Sequence, residues 1–272
     1  MKTIKFKSFS SGSCGNCYFI GIFEDGQCLS GVLVDAGVSP RRVRKELQAE
    51  GLDFDDFGAI LVTHDHLDHI RSLGSYCKHV CKPVWATPTL VRTLSRHFMT
   101  GEFLGSFKRE FKDQWEEVSP GIKVHWFEVP HDATQTVGFA MMLDGFRYVH
   151  ITDCGCMTEE AMNLCRQADA VTIESNYDPD MLANGPYPPD LQQRIRGGHG
   201  HMSNGECADA VAGFCHEGLK YVFLCHLSEH NNTPKLAVDT CRKALESLPG
   251  PQTVTVRVVP LPRQTASPIF NL

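Results

Sequence analysis

Residues 61–70 read LVTHDHLDHI, which sets His64, His66, Asp68 and His69 within six positions of one another directly behind an apolar run. The run Ala59-Ile60-Leu61-Val62 has the length and β-branched content of a buried strand, so a strand over 59–63 delivers these side chains at its end. While the chain stays extended, His64 and His66 point the same way, because strand side chains alternate with period two. Asp68 and His69 fall on the turn into a short helical segment, Ile70 to Cys77, and face a second position nearby. The spacing therefore suits two metal ions rather than one, in the strand-to-turn context that such a motif requires.

The same event, a polar residue at the end of an apolar strand, recurs along the chain. Strands are expected over 3–9, 17–23 and 28–34, the last two joined by a hairpin at Asp25-Gly26, and the third runs into Asp35. The stretch SSGSCGN at 10–16 is either a loop that holds an anion with its backbone N–H groups or a flexible turn. Strands at 124–129, 146–151 and 221–225 end near His131, Asp153 and His226, and another at 170–173 leads to Glu174. Strands are also read at 84–86, 136–143 and 253–259.

Ser39-Pro40, Thr87-Pro88 and Thr233-Pro234 start helices that run to about Ala49, Phe98 and Leu248. A further helix spans Thr158 to about Cys165, and Ser203 with Glu206 forms a capping box for one ending near Gly218. Residues 100–117 read as a poorly patterned insertion, and 177–200, rich in Pro, Gly and Arg, as a long loop. The alternation fits a single α/β (α+β) domain over 1–272, two sheets packed together with helices outside.

Strand ends of this kind converge on one rim of a sandwich. His64, His66 and His131 suit one divalent ion, Asp68, His69 and His226 a second, and Asp153, with two oxygens, a bridging position. Imidazole with carboxylate favours zinc, manganese or iron. Asp35 is placed outside the ligands, orienting them by hydrogen bonds.

The bulk numbers narrow the class. With 272 residues, 42% of them apolar and 21% charged, the chain is globular and can bury a substantial core. No 18-residue apolar window or signal-peptide core occurs, so a cytoplasmic protein with no membrane partner is expected, its twelve cysteines free thiols. A net charge of −6 argues against polyanion binding driven by overall charge. Arg41, Arg42, Arg44 and Lys45 form a local basic patch that reads as a solvated helix face.

The order His64-x-His66-x-Asp68-His69, His131, Asp153, His226, preceded by Asp35, resembles the metallo-β-lactamase superfamily over nearly the whole chain. The resemblance implies a four-layer αβ/βα sandwich with a dinuclear site at one edge. His66 stands where flavodiiron proteins carry glutamate, and Asp153 near the place where true β-lactamases carry cysteine, which disfavours oxygen and lactam chemistry. Gly200-His201-Met202-Ser203 with Glu206, one helix before Leu224-Cys225-His226, resembles the phosphodiesterase branch that includes tRNase Z. There the histidine before the helix meets the scissile phosphate.

SSGSCGN, Val129-Pro-His-Asp-Ala133, Glu174-Ser-Asn176, Gly200-His-Met-Ser-Asn204 and His226-Leu-Ser with Asn231-Asn-Thr-Pro234 are similar to the YycJ/WalJ-type members, which are regarded as exonuclease-like. Tyr177 departs from that pattern, where a histidine is expected, and the doubled Gly-His at 197–201 makes His199 a rival of His201.

The expected reaction is phosphodiester hydrolysis, 5′–3′ exonuclease-like, on nucleic acid or a small phosphodiester, by a hydroxide bridging two divalent ions. Asp68 is cast as the residue orienting the nucleophile, and His201, before a capped helix N-terminus, as proton donor and phosphate contact. Ser203, Asn204, Arg194 and Arg196 are the other substrate candidates, since guanidinium matches phosphate bidentately. Glu174 joins Asp35 as an orienting residue. Two other readings stay open: a glyoxalase-II-like thioester hydrolase, and a metal-bearing protein that binds nucleic acid without cutting it.

Overall fold

The computed structural model describes residues 2–248 and 256–272, and among them the strands form two seven-stranded sheets. In the first, β1 (Lys2–Ser10), β2 (Cys17–Glu24) and β3 (Gln27–Val34) form an antiparallel meander. It continues in parallel through β4 (Ala59–Leu61), β5 (Val84–Ala86) and β6 (Lys108–Glu110). The second sheet repeats the scheme. β7 (Glu116–Ser119), β8 (Ile122–Glu128), β9 (Val137–Leu143) and β10 (Phe146–His150) run antiparallel, then β11 (Ala170–Glu174), β12 (Tyr221–Cys225) and β13 (Arg257–Pro260) follow in parallel. The short β14 (Phe270–Asn271) pairs with β1.

Parallel neighbours need crossovers, and helices supply them on the outer faces. The first sheet carries α1 (Pro40–Gln48), α2 (Leu67–Ile70), α3 (Leu73–His79), α4 (Pro88–Arg96) and α5 (Gly101–Leu104). In the second half lie α6 (Glu159–Cys165), α7 (Pro179–Asn184), α8 (Pro189–Arg196), α9 (Asn204–Phe214) and α10 (Pro234–Glu246). The result is a four-layer αβ/βα sandwich.

β12 shows why its sequence, Tyr-Val-Phe-Leu-Cys, is apolar throughout. Tyr221, Phe223 and Cys225 enter the core between the sheets, where Phe6 and Phe223 have ring centroids 4.5 Å apart. Val222 and Leu224 enter the second core beneath α9 and α10. A strand buried on both faces loses the polar half of its alternation.

Parallel register also places the site. Val34 pairs with Leu61, and Glu174 with Cys225, so the chain leaves each pair of strands at one level. Ligands gather outside the carboxyl ends of parallel strands for this reason.

Two segments differ from their sequence reading. Residues 100–117 contain α5, a 3₁₀ turn, β6 and the start of β7. The expected loop at 177–200 contains α7 and α8. Asp178 caps the Asp180 and Met181 amides with Pro179 in the first turn, and Pro189 starts α8. Proline breaks a helix interior but suits its first turn, so the same residues read as loop signals when no partner surface is known. That surface is a small apolar cluster of Tyr177, Leu182 and Ile195. α9 ends at Phe214 rather than near Gly218, and β13 starts at Arg257; residues 253–255 of the expected last strand lie outside the described residues.

Candidate metal centre

His64 and His66 follow β4 on extended chain, and their rings lie 4.8 Å apart between centroids. His131, after β8, closes the set, its Nε2 3.3 Å from His66 Nδ1. Asp68 and His69 sit in the first turn of α2 and meet His226, which follows β12. In both triads, and in a third set of His64, His69 and Asp153, the ligand atoms lie within 4.8 Å of one another. Asp153 stands between the triads, with Oδ2 3.1 Å from His69 Nε2 and Oδ1 3.8 Å from His131 Nε2. Asp35, Asp153 and His226 adopt left-handed backbone, with φ of 62°, 52° and 53°. Non-glycine residues held there carry strain of about 1–3 kcal/mol each, which the surrounding structure offsets.

A shell of hydrogen bonds turns each ring. His69 Nδ1 donates to Asp35 at 2.7 Å, and Asp35 is itself held by the Thr63 amide and hydroxyl. His131 Nδ1 donates to the Gly200 carbonyl at 2.8 Å. That carbonyl is brought in by a tight return of the chain. A Cβ on Gly200 would meet the Arg194 and Ile195 carbonyl oxygens at 2.2 Å, so only glycine fits.

Glu174 Oε1 accepts from His226 at 2.9 Å and from His201 at 2.8 Å, while Oε2 takes the Cys154 and Met202 amides. Asn16, from the 10–16 loop, donates to Asp68 at 3.0 Å, and Ser11 of that loop accepts the His226 amide.

The charges fit a bound dication. Asp35, Asp153 and Glu174 are buried, Asp68 nearly so, and among the described residues no Lys or Arg pairs with any of them. Burial opposes the charge on Asp153, but His226 and His69 hold its carboxyl well below the usual range. Burial opposes Glu174 in the same way, and His201 and His226 lower it. Burial and the neighbouring imidazoles push His64 down, leaving it neutral as a ligand must be. For His226, burial acts against the proton, yet Asp153, Asp68 and Glu174 raise it to about 10. Nε2 of His64 and Nε2 of His226 are buried without a hydrogen-bond partner, one in each triad. Other buried side-chain atoms lack partners too, His150 Nε2 and Asn231 Oδ1 among them, but these two lie within clusters of ligand atoms and so fit coordination positions.

The triads open into a cleft of about 250 Å³ walled by Tyr187, Leu191 and Ile195 of the α7–α8 segment. His201 and Arg194 line it, and Arg194 pairs with Asp132 at its mouth. His199 points away, exposed in a neighbouring groove. Ser203 spends its hydroxyl in the α9 capping box, and Asn204 is buried in a network with Ser175 and Asn232. Arg196 bonds to Gln192, and none of these three residues lines the cleft. Tyr177 is a packing residue of the α7–α8 cluster. Asn16, Asp132, Asn176 and Tyr187 are additions to the sequence reading. The SSGSCGN, Val-Pro-His-Asp-Ala and Glu-Ser-Asn motifs contain three of them; Tyr187 had no signal inside a stretch read as loop.

The Beta-lactamase superfamily domain matches residues 31–226 of this chain. The chain belongs to that superfamily. It is 31% identical over 243 residues to the exodeoxyribonuclease YycJ of Bacillus anthracis, covering 89% of each chain. It is 29% identical over 268 residues, 98% of each chain, to the exodeoxyribonuclease WalJ of Streptococcus pneumoniae. Among solved structures, the metallo-beta-lactamase fold protein YhfI from Bacillus subtilis superposes with a TM-score of 0.67 at 15% identity, over 99% of this chain and 100% of that one. The superfamily match spans β3 to His226 and so includes both triads and Asp153. Its members' sandwich is the fold seen here. No helix among the described residues is long and apolar enough to cross a membrane.

Proposed function

We propose that this protein is a metal-dependent phosphodiesterase that degrades nucleic acid, deoxyribonucleic acid in particular, as a 5′–3′ exonuclease. The observation that carries the reading is His201 in the cleft, tied to Glu174 beside Asp153 and both triads. A thioester expels a thiolate, which needs no proton donor, whereas a phosphodiester expels an alkoxide oxygen, which does. The full-length similarity to two exodeoxyribonucleases supports the same substrate class.

His64, His66 and His131 would hold one divalent ion and Asp68, His69 and His226 a second, with Asp153 between them. Such ions, zinc, manganese or iron, supply a water that ionises near neutral pH and neutralise charge on the phosphoryl oxygens. The remaining work falls to the chain. Asp68, partly open to the cleft and steadied by Asn16, orients the attacking water. His201 protonates the leaving oxygen. Burial acts against its proton, but Glu174 raises it above the ordinary histidine value, which favours the protonated ring that a proton donor requires. Arg194, released from Asp132, pairs with a neighbouring phosphate, and Tyr187, Leu191 and Ile195 keep water from one side.

The test is an assay of metal-reconstituted protein on labelled single- and double-stranded oligonucleotides, a small chromogenic phosphodiester and a glutathione thioester. Phosphodiester cleavage that depends on metal and vanishes in His66→Ala and Asp153→Ala is expected. Equal activity of metal-free protein, or turnover of the thioester alone, would refute the reading.

A further inference from the structure

The cleft does not end at His131. The same side chain lines an open groove of about 570 Å³ formed by the 128–136 segment, and Thr89 joins that groove to a hollow of about 410 Å³ on α4. The three depressions therefore run in series from the metal centre to one helix face.

That hollow is lined by Thr89, Arg92, Thr93, Arg96 and His97, with no carboxylate. Arg92 donates to the Thr89 hydroxyl at 3.0 Å, and among the described residues neither guanidinium makes an ion pair. The carboxylate lining the middle groove, Glu128, is engaged by the Gln135 amide. Immediately beyond α4, Phe98 is 81% exposed, its ring centroid 4.7 Å from that of His97 and tilted by 33°. A cation in the last helical turn complements the helix dipole, which accounts for Arg96. It accounts for neither Arg92 nor a phenyl ring left in water.

Two guanidinium groups without an ion pair among the described residues, beside two adjoining rings on a chain of net charge −6, match one ligand chemistry. Single-stranded nucleic acid offers phosphates to arginine and unpaired bases to aromatic faces. We propose that Arg92, Arg96, His97 and Phe98 form a binding surface for single-stranded nucleic acid. It holds the body of a strand whose end lies in the metal cleft, along the groove past His131. The assignment rests on the nucleic-acid reading of the metal centre.

The test uses metal-loaded full-length protein, fluorescence anisotropy with phosphorothioate-linked single strands, a 20-mer (about 20 nucleotides, long enough for several phosphate contacts) and a trinucleotide, and turnover of a small phosphodiester. Arg92→Glu/Arg96→Glu should weaken 20-mer binding about tenfold or more and lower the log–log salt slope by about 1.4, two phosphate contacts at roughly 0.7 each. Phe98→Ala, at an exposed site, should weaken it about tenfold through lost stacking. Trinucleotide affinity and small-phosphodiester turnover should stay at the parent level.

A 20-mer that binds no tighter than the trinucleotide, or variants that bind it as the parent does, would overturn the surface. A blunt duplex bound as tightly, with the same losses, would overturn the single-strand assignment. Should the parent fail to hydrolyse the small phosphodiester while the variants still lose the 20-mer, the catalytic reading falls and the surface stands.

Discussion

Glu174 Oε1 lies 2.9 Å from His226 Nδ1, a contact that leaves His226 Nε2 buried and unpartnered toward Asp68. The same oxygen holds His201 at 2.8 Å, so one carboxylate orients a metal ligand and the proposed proton donor together. Glu174→Gln keeps the shape but supplies a weaker, uncharged acceptor. Metal affinity should fall about 10- to 100-fold, the usual cost of losing such an outer partner, measured by competition with a chromogenic chelator. An unchanged affinity would mean that the shared oxygen orients nothing.

His201 and His199 separate by activity at constant metal content. His201→Ala should retain its metal by atomic absorption while turnover drops about 10²- to 10⁴-fold, the range for a lost general acid. His199 lies exposed in the neighbouring groove, so His199→Ala should turn over at the parent rate. The opposite pattern would reverse the assignment.

Gly37 touches the second triad through backbone. A Cβ there would stand 1.7 Å from the Asp68 carbonyl oxygen and 2.6 Å from the Asn16 amide, neither of which is a flexible side-chain end. Gly37→Ala should therefore displace the turn carrying Asp68 and His69. Overpacking costs about 1–3 kcal/mol, so a lower urea midpoint accompanied by weaker metal binding is expected. Destabilisation with unaltered metal affinity would show that the turn absorbs the shift.

Metal removal should be visible without any substrate. A ligand at 100 times its Kd stabilises the folded state by about 2.7 kcal/mol. For a chain of this size that corresponds to roughly 5–10 °C in Tm, read by scanning calorimetry with and without chelator. Coincident transitions would contradict coordination by buried His64 and His226.

The residue sequence by itself determined where chemistry would collect. An apolar run such as Ala59–Val62 must be a strand, its period places His64 and His66 on one side, and Asp35, His131, Asp153 and His226 follow comparable runs. These are local consequences of spacing and burial, and two sheets with outer helices follow from their alternation. The α7–α8 segment escaped that reading because its helices are short and are stabilised by packing on Tyr177, a contact no local pattern records.

Only the tertiary structure decided which atoms meet. Glu174 reaches His201 and His226 across separations of 27 and 52 residues, and Arg194 reaches Asp132 across 62. His201 rather than His199 enters the cleft because the chain return at Gly200 orients one imidazole inward and leaves its neighbour in solvent. Such pairings depend on sheet register, left-handed backbone at strand ends and close backbone approach, quantities set by the whole packed core and not by spacing along the chain.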